Sequence, residues 1–243
     1  MVVSVILPVY NGSRTLIGTI EEVKEFSKKF PNFEFIFVND GSTDNSLRIL
    51  HSHLIFPKTK NIKLISYNQN KGKGYAVKKG VEMAKGNYIC FMDSDLAYSL
   101  DYLHDLIKYL ERYDVVLGSR TFAKEENRRR IKLNRQIPGI VYNKISRILL
   151  NHPYLDTQAG IKGFRSSAAR KLFAQQRIKR FAFDTELIFL SLKYNFKIKE
   201  MPIIVSRPET YNSSTVNIIK DSIVMFFSLL KIKYSELAKK YEK

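Results

Sequence analysis

Five short apolar runs alternate with helical patterns along the first half of this chain, and that alternation limits what it can fold into. Val2–Leu7, Phe33–Val38, Ile62–Ser66, Tyr88–Met92 and Val115–Gly118 read as strands. Between them, Thr15–Phe30, Asp44–His53, Gly74–Ala84 and Leu100–Arg112 carry helical spacing, and the Asp/Ser/Thr cluster at 42–44 supplies a helix cap. A β-α-β-α order implies a mostly parallel, twisted sheet with helices on both faces. Such sheets bind ligands beyond the carboxyl ends of their strands. Four polar clusters fall at those ends: Pro8-Val9-Tyr10-Asn11, Asn39-Asp40-Gly41-Ser42, Asp93-Ser94-Asp95 and Gly118-Ser119-Arg120. They therefore converge on one edge.

The second half is less regular. Lys124–Arg135 is densely charged and reads as a mobile loop, and Leu133–Leu150 as a helix broken near Pro138-Gly139. Asp156–Phe164 is a polar, Gly-containing segment, Phe183–Tyr194 a helix and Lys197–Val205 a strand. This half is expected to complete the sheet and build an acceptor side. The expected division is one catalytic domain over 1–215 and a basic amphipathic helix over 216–243. That helix, Asn217–Tyr241 in pattern, reads either as docked on the core or as lying in a membrane interface with Lys near the headgroups. No run reaches the roughly 18 apolar residues of a spanning helix.

Composition narrows the partners. Lys+Arg 41 against Asp+Glu 23 gives a net charge of +18, which favours polyanions such as phosphates, nucleic acid or anionic lipid. A single cysteine, Cys90, lies inside a strand run, so no disulfide framework is expected and a reducing compartment is. Met1–Pro8 reads as a first strand rather than a signal peptide. His51, His53, His104 and His152 lack metal-ligand spacing.

Two carboxylates at i and i+2 on a strand tip, Asp93 and Asp95, can share a hard divalent cation, although Asp and Ser also favour plain turns. Asp40 follows an apolar strand and can accept from a base N–H or a ribose hydroxyl; Ser42 and Asp44 suit capping better. Gly72-Lys73-Gly74 lacks the order of a phosphate-binding P-loop. Its glycines allow close backbone approach to a ligand, or simply open a helix.

Taken in order, Pro8-Val9-Tyr10-Asn11, Val38-Asn39-Asp40-Gly41-Ser42-Thr43-Asp44, Asn70-Lys71-Gly72-Lys73-Gly74-Tyr75-Ala76 and Asp93-Ser94-Asp95 resemble the signature of family-two inverting glycosyltransferases of the GT-A fold. Asp156-Thr157-Gln158-Ala159-Gly160-Ile161-Lys162-Gly163-Phe164 resembles the motif of dolichyl-phosphate β-glucosyltransferases, a sister group of the dolichyl-phosphate mannose synthases. The resemblance implies a Rossmann-like α/β GT-A fold. It implies a nucleotide-sugar site at Pro8, Tyr10, Asn11, Asp40, Lys73, Gly74, Asp93 and Ser94. Asp93 and Asp95 would hold Mg²⁺ or Mn²⁺, with Asp93 also facing the ribose or sugar. Asp95, Asp184 and Asp156 are the implied catalytic carboxylates, Asp184 as a sugar-contacting or base-like group and Asp156 for acceptor-side or base duty; helix capping is the other reading of Asp184. Arg120, Arg207 and Arg135, with Arg128 as the alternative to Arg135, would grip an acceptor phosphate through bidentate contacts. Asn39 and Ala97 depart from positions where many members carry Asp and where mannose synthases carry Gln.

The implied reaction moves a hexose, glucose from UDP-glucose first, to a polyprenyl phosphate such as dolichyl phosphate, with inversion at C1. A phosphate monoester has a second pKa of about 6 and attacks without a strong base. A GDP-mannose donor and a saccharide-hydroxyl acceptor are the alternatives. The expected location is peripheral, on the cytoplasmic membrane face. Nucleic acid is not an expected partner, because no recognised binding motif is present.

Overall fold

A computed structural model describes residues 2–55, 61–207 and 218–242. Seven strands form one sheet in the order β3-β2-β1-β4-β6-β5-β7. They are β1 (Val3–Val9), β2 (Phe33–Asp40), β3 (Ile62–Tyr67), β4 (Tyr88–Met92), β5 (Val115–Ser119), β6 (Ile161–Arg165) and β7 (Ile198–Pro202). β6 runs antiparallel to β4 and β5, and every other pairing is parallel. Nine helices among the described residues flank the sheet: α1 (Ser13–Lys29), α2 (Ser46–Leu50, continuing as a π turn over His51–Ile55), α3 (Lys73–Met83), α4 (Tyr102–Leu110), α5 (Lys124–Arg130), α6 (Leu133–Leu150), α7 (Ser166–Gln175), α8 (Phe183–Lys193) and α9 (Ile218–Leu237). This is the mostly parallel sheet flanked by helices that the sequence leads one to expect.

β1 and β2 are buried along their whole length, which is why they read as unbroken apolar runs. Alternate side chains feed two cores. Val3, Val5, Leu7 and Val9 join Phe35 and Phe37 beneath α1 and α4. Ile6, Ile36, Val38 and Phe91 join Ala76, Val77, Leu172 and Leu187 beneath α3, α7 and α8. Gly80 lets α3 lie close to β1, since a Cβ there would sit 2.4 Å from Ile6 Cγ2.

Three expectations for the second half are corrected. The charged 124–135 stretch is not a loop over its first part but the helix α5. Asn127 holds it down, donating through Nδ2 to the Arg120 and Ile203 carbonyls (3.1 and 2.9 Å) and accepting from the Val205 N–H (2.9 Å). α6 is continuous through Pro138. The backbone bond that Pro138 forgoes would have gone to Asn134, near the helix start, where a missing bond matters least. Finally, the Asp156–Phe164 segment runs into β6, and α7 follows it directly. β6 hides in the sequence because Lys162 and Gly163 interrupt its apolar pattern.

The reversal of β6 places the site. Six parallel strands bring their C-terminal ends to one edge, and the antiparallel strand brings its N-terminal approach, residues 156–160, to that same edge.

Candidate active site

At the tip of β4 the chain turns sharply. The Asp93 N–H donates to the Gly160 carbonyl (2.9 Å), and the Ala97 N–H donates to Asp95 Oδ1 (3.0 Å). Leu96, between them, is buried with φ 47°. A bulky residue in left-handed conformation stores strain that the surrounding packing must hold. Thr19 on α1 donates to the Ser94 carbonyl (2.7 Å), and the Ser206 N–H donates to the Ala97 carbonyl (2.7 Å). The loop is therefore clamped from both sides. Gly160 is required here, since a Cβ would sit 1.9 Å from Asp93 Oδ2.

A row of alternating charges runs inward from this tip. Lys73 at the start of α3 pairs with Asp93 (2.5 Å). Lys162 on β6 pairs with Asp184 (2.7 Å) and donates to the Ala159 carbonyl (2.9 Å). Arg120 clasps Asp156: its backbone N–H and Nε reach Oδ2 at 2.9 and 2.7 Å, and Nη2 reaches Oδ1 at 2.7 Å. Lys162, Asp184 and Asp156 are all buried. Burial works against the Lys73 ammonium, but Asp93, Asp184 and Asp95 around it raise its pKa above that of a free lysine. Burial lowers Lys162 against the pull of Asp184, and burial raises Asp184 against Lys162 and Lys73. Burial opposes the Asp156 charge, yet Arg120 wins and holds that carboxyl below its usual value. Burial and the neighbouring Asp93 push Asp95 up to about 6.

Two neighbouring carboxylates, one lifted by burial and then by the other, form a hard-oxygen donor set suited to a divalent cation. Among the described residues no third His, Cys, Asp or Glu joins them. A cation there would complete its shell from substrate phosphate and water, as Mg²⁺ commonly does.

The other expected residues fall as follows. Asp40 is buried and occupied, accepting from the Lys71 and Gly72 N–H groups (both 2.8 Å) and from Asn70 Nδ2 (2.9 Å). It shapes the 70–73 loop. Asn11, at φ 51°, accepts from the Thr43 N–H (2.8 Å) and ties the loop after β1 to the loop after β2. Tyr10 stands exposed beside it. Pro8 is buried inside β1 opposite Val38 and offers no side chain to the edge. Gly74 serves packing, because a Cβ there would meet Phe183 at 2.7 Å. Asp184 does not cap α8. It lies in the first turn, with Ala182 at the cap, and turns to Lys162. Asp156, fully engaged by Arg120 and held ionised, is placed to orient that arginine and is a poor proton acceptor. Arg207 pairs with Glu22 on α1 beside the Asp93–Ala97 loop. Arg128 and Arg135 lie on α5 and α6, and their side chains are outside the described residues.

Sequence reasoning missed Lys162 and the knot behind it. Asn143 Oδ1 accepts from the Thr157 N–H (3.1 Å) and Oγ1 (2.7 Å), Thr157 accepts from Thr185 (3.2 Å), and Tyr142 meets Thr185 at 3.0 Å. The one available signal was a lysine set between Ile161 and Gly163 in a short run that ends on Phe164.

Comparison with known proteins gives the family and the fold. The family profile described as Glycosyl transferase family 2 matches residues 4–173. A dolichyl-phosphate beta-glucosyltransferase of Dictyostelium discoideum is 29% identical, over 96% of this chain and 74% of its own length. One of Trichomonas vaginalis is 30% identical, over 82% of this chain and 62% of its own length, so this chain spans less than two thirds of that relative. A glucosyl-3-phosphoglycerate synthase of Mycobacterium tuberculosis, crystallised with Mn²⁺, UDP and glucosyl-3-phosphoglycerate, superposes with a TM-score of 0.66 at 15% identity, covering 95% of this chain and 79% of that one. A mannosyltransferase of Pyrobaculum calidifontis, in complex with GDP-mannose and Mn²⁺, gives 0.58 at 14% identity, covering 98% and 74%.

Proposed function

This chain belongs to glycosyl transferase family 2, and from that premise we propose that it transfers a hexose, glucose from UDP-glucose, to a polyprenyl phosphate of the dolichyl type. The observation that carries the acceptor and sugar is the run of curated relatives named dolichyl-phosphate beta-glucosyltransferase, aligned over most of this chain. A divalent cation on Asp93 and Asp95 would supply charge neutralisation of the departing nucleoside diphosphate. Lys73 neutralises Asp93 and adds a cationic wall beside it. Asp184, fixed by Lys162, stands behind Lys73 where it can orient the sugar. Arg120, clasped by Asp156 at the end of β5, sets a fixed positive charge on the acceptor side of the site. A dianionic acceptor needs no strong base, which accords with a buried carboxylate row already committed to cations.

A membrane surface supports the lipid acceptor. No helix among the described residues is long and apolar enough to cross a bilayer. α9 packs on α6, with Leu229 and Ile232 buried beside Tyr142 and Leu150. Outward from that seam, α6 exposes Ile140 and Ile148, and α9 exposes Phe227, Leu230 and Leu237, with Lys144, Arg147 and Lys231 alongside. Apolar area flanked by cations suits the interface of an anionic membrane, where each Lys or Arg adds about 1 kcal/mol. On this reading the enzyme is peripheral, on the cytoplasmic face.

The test is transfer of radiolabelled sugar from a UDP- and GDP-sugar panel into organic-extractable lipid, with dolichyl phosphate, Mg²⁺ or Mn²⁺, and an Asp95→Ala control. Metal-dependent lipid label from UDP-glucose, lost in the control, is expected. Label from GDP-mannose would change the donor. Transfer only to saccharides would refute the acceptor.

A further inference from the structure

Glu186 is a buried carboxylate to which the reaction above gives no part. It is fully buried on the first turn of α8, two residues after Asp184. Burial raises its pKa, so the fold bears a cost to keep it there. Its partners come from two other parts of the chain. The Arg177 N–H donates to Oε1 and Oε2 (3.0 and 3.1 Å), and the Ile178 N–H donates to Oε2 (2.8 Å). The Tyr241 hydroxyl donates to Oε1 (2.6 Å). Tyr241 lies just past α9 and is itself buried. Its ring meets Phe189 at 5.9 Å and lies under the Arg177 guanidinium, its carbonyl accepts from the Tyr194 hydroxyl (2.8 Å), and Arg177 Nη2 donates to the Lys240 carbonyl (2.7 Å).

The segment that Glu186 pins, residues 176–182, is the wall behind Lys73. The Tyr75 N–H donates to the Lys179 carbonyl (3.0 Å). A Cβ on Gly72, whose φ is 101°, would sit 2.6 Å from that same carbonyl. Gln176 Nε2 lies against Gly74. The 70–75 loop, with Lys73 aimed at Asp93, is thus seated on a segment whose own position depends on Glu186 and, through it, on Tyr241.

We infer that Glu186 and Tyr241 are positioning residues that couple the segment following α9 to the donor-side loop of the active site. Removing the Tyr241 hydroxyl leaves its ring in place but withdraws one of the bonds that fix Glu186. The 176–182 segment then loosens, and Lys73 loses its fixed aim at Asp93. The same chain of contacts gives a surface on α6 and α9 a physical route to the donor site.

The inference rests on the donor-site reading only for its second readout. The first is amide hydrogen exchange on the intact chain, comparing wild type with Tyr241→Phe and Glu186→Gln. In Tyr241→Phe, exchange at residues 72–75 and 177–178 is expected to rise roughly tenfold, the equivalent of one buried hydrogen bond, while amides of β1 and β2 keep wild-type rates. Glu186→Gln keeps an acceptor for the 177 and 178 amides and is expected to protect them better than Tyr241→Phe protects residues 72–75. The second readout is titration with UDP and Mn²⁺, where Tyr241→Phe is expected to weaken binding several-fold. Unchanged exchange at 72–75, or a uniform rise across the sheet, would overturn the coupling. If wild type binds no nucleotide, the donor-site reading fails, and the exchange pattern still decides the coupling.

Discussion

Lys162→Met is the sharpest test of the charge row. The lysine has no exposed surface, and its ammonium contacts Asp184 at 2.7 Å and the Ala159 carbonyl at 2.9 Å. Methionine matches its length and leaves no large void, so the loss reports the charge rather than a cavity. Breaking a buried pair from one side costs roughly 3–5 kcal/mol, because the other charge stays buried without its partner. Asp184 still feels Lys73, which places the expected loss near the lower end, about 3 kcal/mol at pH 8. The sign of the pH dependence follows from Asp184. Its pKa is already raised by burial and rises further without Lys162. A folded-state pKa above the unfolded value of about 3.9 means the folded chain binds the proton more tightly, so stability falls as pH climbs from there through the folded pKa. The penalty in Lys162→Met should therefore be smaller at pH 5 than at pH 8, changing by up to about 1.4 kcal/mol per pH unit within that window. Urea unfolding of wild type, Lys162→Met, Asp184→Asn and the double variant at both pH values measures this. The double variant should regain at least about 1.5 kcal/mol over Lys162→Met, since a neutral amide needs no counter-ion. A loss under about 1 kcal/mol that is equal at both pH values, or an Asp184→Asn change that adds to the damage, would refute the reasoning.

Gly160→Ala places a Cβ where Asp93 Oδ2 now sits, and displacing that carboxylate by about an ångström should cost on the order of 10²-fold in kcat with little change in Tm. Asp156→Asn leaves Arg120 without its charged clasp. A several-fold rise in acceptor KM with an unchanged pH–rate profile is expected, whereas loss of the profile's acidic limb would make Asp156 a proton acceptor after all. His152 is buried beside Ser146, and burial and then Arg147 push its pKa down to about 4. The unfolded chain, with an imidazole pKa of about 6.5, binds more protons between those values. Stability should fall as pH drops from about 6.5 toward 4, by no more than about 3 kcal/mol, and calorimetry of His152→Gln should show that slope flattened.

The parallel core and the edge where chemistry gathers are legible in the order of residues alone. Strand runs such as Phe33–Val38 and Tyr88–Met92 are legible because both faces of a parallel strand are buried, which leaves an unbroken apolar signature. The order of motifs at the strand ends was enough to indicate the family, and Asp93-Ser94-Asp95 announced itself because a strand that stops on two acids is a local pattern. Which charge answers which depends on the folded arrangement. Arg120 and Asp156 lie 36 residues apart, and Tyr241 and Glu186 lie 55 apart. Their pairing depends on β6 entering the sheet backwards and on the chain past α9 folding onto α8. Lys162 shows the limit most clearly. In sequence it spoils a strand pattern, and only a reversed strand beside β4 turns it inward to Asp184. Local pattern reports burial and backbone preference, which each residue carries with it. The partner of a buried charge is a property of the whole fold.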